Sequence, residues 1–444
     1  MQGVTLIVAV IVSLLAITLR PGYALAAYIT SLLWYPSYLV VGIGTIDISI
    51  GRIVVGVLLL RCLCDHRIQS KFNWSRLDTW VTLSMVIYVG VPCVTGPLLS
   101  TIENRGGFLM DTWFAYMVAR FFVTDRATLL AVIKWIAVVL APLAVLGIIE
   151  SVTGWRTFII LCRNSPAFAH LMSYEPRWGL IRAVGPFNHS ILFGSTFAMF
   201  LPLVYFLRHQ KNYWRLLAYV LSGVALAGAL SSMSMGPWIM VIVVIFCLAM
   251  EKYKHWVKPL LIFFLVSCVL VEIVSHRPFY HVIASYANPL GGSGWHRAKL
   301  IDCAVEHFGE WWLIGYGDKD PGWGPSLGMA ATDVTNEFIL NGVRYGILGI
   351  VVLCGVLATA LRSLFYAHRK AQNPEIQSLC WSLGSILVSV IVTWMSVSFF
   401  GQISTLFYCV LGIMGSSFNL VSNTTSHTEQ PSHMSEFLKL RHEF

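Results

Sequence analysis

Long uncharged apolar runs, separated by short polar links, constrain this chain more than any other feature. ILFGSTFAMFLPLVYFL at 191–207 and PLLIFFLVSCVLV at 259–271 are two of them. Several such runs approach or exceed the ~20 residues that an α-helix needs to cross a bilayer. The 444 residues are 57% hydrophobic and only 11% charged, with mean hydropathy +0.72. An ordinary soluble domain carries roughly 25% charged residues. The chain therefore reads as all-α, a polytopic integral membrane protein. A β-barrel would be written in short alternating segments instead. The first run follows an uncharged start with no basic region and no small-residue cleavage site. It is expected to be a retained helix, not a removed signal peptide.

Spans are expected at 4–19, 24–43, 45–64, 79–97, 110–124, 127–150, 188–207, 216–233, 237–250, 259–275, 336–361, 378–398 and 403–421, about twelve or thirteen in all. The stretch 41–52, with Asp47 and Arg52, reads as a break or an interfacial corner. The links RHQKNYWR (208–215), EKYKHWVK (251–258) and RSLFYAHRKAQNPEIQ (362–377) are basic and should face the cytoplasm. Alternation then puts the two longest loops, 151–187 and 276–335, outside. Residues 1–421 form one transmembrane domain, and 422–444 form a polar cytoplasmic tail. The net charge of +9 reports the basic links and implies no nucleic acid. Most of the ten cysteines lie inside spans as small apolar residues; Cys162 and Cys303 fall in the outer loops, where a disulfide between them is one option.

Candidate chemistry gathers in the two outer loops. A helix from Arg297 to Phe308 would place Arg297, Ile301, Ala304 and Phe308 on one face, with Lys299, Asp302 and Glu306 opposite. An Arg in an apolar stripe must snorkel out, cap a neighbouring carbonyl or meet an anion. The other loop ends in EPRWGLIRAVGPFNHSILFGS (175–195), where Arg177 and Arg182 precede a span and Asn188 or Ser190 should cap it. Two outside Arg residues run against the usual charge bias. They are either interfacial anchors or phosphate ligands, since the guanidinium fork suits a diphosphate.

The larger loop returns through Asp333, Thr335, Asn336 and Glu337. Asp333 or Thr335 should cap this helix, whose free N–H groups favour an anion. Arg344 lies about two turns in, tilted back toward the outer end. Leaving it in lipid would cost on the order of 3 kcal/mol. It is expected to meet an anion there or to pair with Glu337 or another carboxylate. Trp295, Trp311, Trp312, Trp323 and Tyr316 read as interfacial belt residues that also have faces for sugar stacking. There is no Walker A loop, no HExxH and no paired-Cys zinc motif, and His276, His281, His296 and His307 lack metal-ligand spacing. No metal and no cofactor is expected. Energy for any reaction must come from the substrate or from a gradient.

Four pieces, in order, resemble the O-antigen ligase and polysaccharide polymerase family of bacterial inner-membrane proteins. RAVGPFNHSILFGS resembles the family's Arg…Gly-x-Phe segment. SSMSMGPW (231–238) resembles its small-residue turn. The Arg297 helix followed by WWLIGYG resembles an Arg helix and then Pro-x-x-Gly-x-Gly. TNEFILNGVRYGILG resembles His-Asn-x-x-Leu…Gly-x-x-Gly. The similarity spans roughly residues 130–420. Three departures stand out: Thr335 in place of the His, Met235 in place of an Arg, and Arg344 in place of an acidic residue. Thr335 cannot act as a general base near neutral pH, so the ligase mechanism with a catalytic His does not carry over.

The resemblance implies inverting transfer of a glycan from undecaprenyl diphosphate, in a multi-pass protein of the bacterial inner membrane. The departures favour a polymerase of exopolysaccharide or O-antigen repeat units. Arg182, Arg297, Arg177 and Arg344 would bind the diphosphate. Asp333 or Glu337 would orient or deprotonate the acceptor hydroxyl, with His189 a weaker candidate and Arg297 stabilising the leaving group. Membrane lipid and polysaccharide-export or chain-length proteins are the further partners implied. Three other readings stay open: ligation to lipid A core, transport of a polysaccharide or lipid-linked glycan, and a non-catalytic scaffold.

Overall fold

The computed structural model describes residues 2–44, 46–162, 176–276, 278–286 and 294–428. Helices α1 (Gln2–Thr18) and α2 (Pro21–Trp34) pack as an antiparallel pair. A hairpin follows, β1 (Val40–Ile43) and β2 (Ile46–Ser49), with Val40 opposite Ser49. It leads into α3 (Ile50–Cys64). Next come α4 (Arg76–Thr95) and α5 (Leu98–Leu109), which continues through a π-turn at Met110–Phe114 into α6 (Ala115–Phe122). Then follow α7 (Arg126–Thr153), α8 (Ser190–Phe206), α9 (Tyr213–Ser231), α10 (Met235–Met250) and α11 (Val257–Val274). The large loop carries α12 (Phe279–Tyr286), α13 (Gly294–Glu306) and α14 (Phe308–Trp311). The chain closes with α15 (Glu337–Lys370), α16 (Pro374–Trp394) and α17 (Gln402–Thr428).

Among the described residues, seven helices are long and apolar enough to cross a membrane, and three shorter apolar helices accompany them, Gln2–Thr18, Met235–Met250 and Gln402–Ser416. The chain is an all-α multi-pass membrane protein. The expected count of spans meets a structural difference at α2, α3 and the α5–α6 unit, which are shorter, polar or interrupted. The span expected at 24–43 ends at Trp34, and the one expected at 45–64 begins at Ile50. Between them lies the hairpin, where a break or corner was expected. Arg52 is the physical reason. Its guanidinium pairs with Asp111 of the π-turn at 2.7 Å and donates to the Asp47 carbonyl at 3.0 Å. This satisfies a charge that lipid would not accept.

Helix α8 is the centre of the bundle. It is apolar all round, as a fully enclosed helix should be, with Phe193, Phe197, Phe200 and Leu203 buried. It packs against α7, α9, α10 and α16. By contrast, α11 buries none of its residues.

Polar contacts sort the connections into two ends. At one, Arg208 pairs with Glu251 at 2.6 Å, Arg126 pairs with Glu375, and Gln210 donates to Glu375 at 2.6 Å. The three basic links therefore meet. Lys134, near this end, lies 4.9 Å over the Trp214 ring. A buried pair joins Asp78 to Arg120 at 2.8 Å, supported by the Tyr116 hydroxyl at 2.5 Å. At the other end, the 176–189 segment, the α9–α10 turn, the large loop and the α16–α17 link come together.

Candidate functional site

Residues 176–189 form a strap laid across the ends of α7 and α9. Arg177 and Leu180 exchange backbone hydrogen bonds of 2.8 and 3.0 Å, around a turn with positive φ at Trp178 and Gly179. The Ile181 N–H donates to the Ser151 carbonyl at 2.9 Å, and the Ala183 N–H to the Ser231 carbonyl at 3.1 Å. The Val184 and Gly185 N–H groups donate to the buried Glu150 carboxylate at 3.2 and 3.0 Å. Glu150 thus fixes the strap, a role the sequence did not reveal.

So anchored, the strap delivers its two Arg residues to the turn between α9 and α10. Arg177 Nη1 donates to the Met233 carbonyl at 3.1 Å, and Arg182 Nη2 donates to Ser234 Oγ at 2.9 Å. Ser234 Oγ also lies 3.1 Å from Ser190 Oγ at the start of α8. The small-residue turn admits this crowding: at Gly194, one helical turn into α8, an added Cβ would strike the Ser232 side chain. Arg297 approaches from α13. Burial and then repulsion from Arg177 hold its guanidinium below its ordinary range. Neither Arg177 nor Arg297 forms an ion pair with a carboxylate among the described residues. Arg177 and Arg182 thus meet at one turn, and Arg297, from the other loop, lies near enough to feel the charge of Arg177.

The predicted face of the Arg297 helix needs correction. Helix α13 ends at Glu306, and Phe308 begins a separate turn in which it is exposed. The buried positions are Ala298, Leu300, Cys303 and Ala304, so Arg297 and Ile301 stand at the edge of that face. Cys303 is a buried free thiol, and the side chain of Cys162, its proposed partner, lies outside the described residues. Trp311 and Trp323 are buried in the core of the loop, where Trp311 Nε1 donates to the Ala304 carbonyl at 2.9 Å. They are neither belt residues nor open stacking faces. Trp295 and Trp312 are exposed.

A second group of side chains forms at the start of α15. Asn336, rather than Asp333 or Thr335, caps this helix; its Oδ1 accepts from the Phe338 and Ile339 N–H groups at 3.0 and 3.1 Å. The helix start is therefore already satisfied and offers less to an anion than expected. Glu337 accepts from the Phe399 N–H at 3.1 Å and from Asn341 Nδ2 at 3.2 Å. It lines a cavity of about 90 Å³ together with Asn341, Arg344, Tyr88, Tyr345 and Tyr408. Arg344 is in the cavity wall but forms no ion pair with Glu337. None of the other three Arg residues lines that cavity. Asp333 is exposed and lies outside the cavity lining.

The link 395–401 touches residues beside both groups. The Met395 carbonyl accepts from Asn336 Nδ2 at 2.9 Å, Val397 packs on Gly236 after the small-residue turn, and the Phe400 ring lies 6.4 Å from the His189 ring. His189, rather than Asn188 or Ser190, caps α8; its Nδ1 accepts from the Ile191 N–H at 3.1 Å.

Helix α15 is broken at Gly346 (φ 68°, ψ −164°). The WWLIGYG segment repairs the break. The Tyr316 and Gly317 N–H groups donate to the Val343 and Arg344 carbonyls at 2.7 and 3.0 Å, and the Ile347 N–H donates to the Trp312 carbonyl at 2.7 Å. Gly315 and Gly317 have positive φ. A side chain at Gly315 would strike the Arg344 backbone. This explains why the glycines stand where they do. Non-helical backbone at membrane depth is tolerated only when protein groups satisfy it.

Among the described residues, no group of three or more His, Cys, Asp or Glu side chains is placed to hold a metal ion. No protein-family model matches the chain, and no curated protein matches it significantly.

Proposed function

We propose that the chain is a membrane glycosyltransferase of the bacterial inner membrane. It joins undecaprenyl-diphosphate-linked repeat units of an exopolysaccharide or O-antigen at the outer face. The observation that carries this reading is that Arg177 and Arg182 meet at the Met233–Ser234 turn, with Arg297 near enough to feel the charge of Arg177. Their guanidinium forks match the charge and geometry of a diphosphate. The basic links lie at the opposite end, which the positive-inside rule assigns to the cytoplasm.

In the proposed reaction, the acceptor hydroxyl oxygen bonds to the anomeric carbon from the face opposite the leaving group. The bond from that carbon to the diphosphate oxygen breaks, and the electron pair leaves with the lipid diphosphate. The three Arg residues stabilise the charge that develops there. Glu337 takes the hydroxyl proton. It is preferred to Asp333 because it lines a cavity and is held by the Phe399 N–H and Asn341. Cleavage of the glycosyl diphosphate supplies the driving force, so a nucleotide is not needed.

The test uses protein in nanodiscs with lipid-diphosphate-linked repeat units, read as chain growth by gel or mass spectrometry. Growth should occur and should be lost in folded Arg297→Ala and Arg182→Ala. Growth that survives both substitutions would sink the diphosphate assignment. Transfer only after lipid A core is added would make the protein a ligase.

A further inference from the structure

We infer that Arg105 is a positioning residue for the Glu337 cavity, and that Asp318 ties it to the large loop. The inference rests on the reading of that cavity as the acceptor side of the proposed reaction. Arg105 belongs to α5, and its side chain is 5% exposed. Its Nη1 donates to the Tyr345 hydroxyl at 2.8 Å, and its Nε donates to the Asp318 carboxylate at 3.2 Å within an ion pair. The guanidinium also lies 5.5 Å from the Phe108 ring centre and 5.6 Å from that of Tyr345. Both rings line the cavity, and Tyr345 stacks on Tyr88, a third lining residue, at 4.6 Å. One enclosed cation thus touches two walls directly and a third through Tyr345.

Chain order makes this contact a coupling. Asp318 follows Gly317, whose N–H donates to the Arg344 carbonyl in the broken turn of α15. Tyr345 directly precedes the break at Gly346. The loop tip, the break and the cavity wall are therefore one mechanical unit. When Asp318 leaves Arg105, the Tyr345 hydroxyl loses its oriented donor and the ring is free to leave Tyr88. The cavity then widens. A glycan held on the large loop would act on the acceptor side by this route. An ion pair that served stability alone would leave the cavity unchanged in variants that still fold.

The experiment uses the full chain in nanodiscs. Ser404, another cavity residue, is changed to Cys, and its labelling by a hydrophilic maleimide is followed by peptide mass mapping. Asp318→Asn and Arg105→Met should raise the labelling rate by about tenfold, as expected when a charge-assisted hydrogen bond is lost. Arg105→Lys keeps the charge without the fork and should fall between. In chain-growth assays, the same variants should raise the KM for the acceptor more than they lower kcat. Unchanged labelling in Asp318→Asn protein with the parent melting transition would overturn the inference. That variant decides the matter even if Arg105→Met does not fold, because the Asp318 side chain is 36% exposed. Altered labelling in a protein that never extends a glycan would support the role of Arg105 and overturn the glycosyltransferase reading.

Discussion

Glu337 and Asp333 are four residues apart, yet only Glu337 lines the cavity. Glu337 has a backbone N–H on one oxygen and an amide on the other, and it faces a cavity; Asp333 faces solvent. Glu337→Gln should lower kcat for chain growth by about 10²–10⁴-fold, the usual contribution of a positioned base. Asp333→Asn should stay near the parent rate. Single-turnover assays with saturating donor would measure both, and equal losses would return Asp333 to the site. The sequence made the Arg residues legible because cations outside a membrane bundle run against the ordinary bias. It did not reveal Glu150 or Ser234. Glu150 reads as the polar end of a span and Ser234 as one more small residue. Their roles arise only when the 176–189 strap crosses them.

The break in α15 is the least legible element. ILNGVRYGILGIVV is continuously helix-compatible, and glycine is common in membrane helices. Only the partner segment shows that Gly346 leaves the helix, because the freed carbonyls bind N–H groups some thirty residues away in sequence. The break at 41–52 is easier to anticipate, since Asp47 and Arg52 interrupt an apolar run, although its hairpin form is not. At α15 the cap falls to Asn336 beside its near-equivalent Thr335, whereas at α8 the His189 ring takes the place that Asn188 or Ser190 would fill. Gly346→Ala would put a methyl at positive φ, against the Leu313 carbonyl. It should destabilise the protein by about 1–3 kcal/mol. A fall in the melting midpoint in detergent, with a smaller fall for Gly342→Ala, would confirm that the break carries the strain. Equal falls would point to packing alone.

Across the whole molecule, charge is divided by end. Arg126, Arg208, Glu251 and Glu375 knit the short basic links together, while Arg177, Arg182 and Arg297 lie at the far end under the long loops. Helix α11 buries nothing within the chain, which fits a span surrounded by lipid. If the positive-inside rule governs this bundle, the basic end is cytoplasmic and the Arg group is outside. Exposed Lys211, in a basic link, and exposed Ser326, in the large loop, report the two ends. Each is changed to Cys and expressed in bacterial spheroplasts, then treated with a membrane-impermeant maleimide and followed by peptide mapping. Ser326→Cys should label in intact spheroplasts, and Lys211→Cys only after permeabilisation. The reverse pattern would leave the fold as it is but turn the Arg group toward the cytoplasm. A polymerase working on lipid-linked units at the outer face would then be excluded.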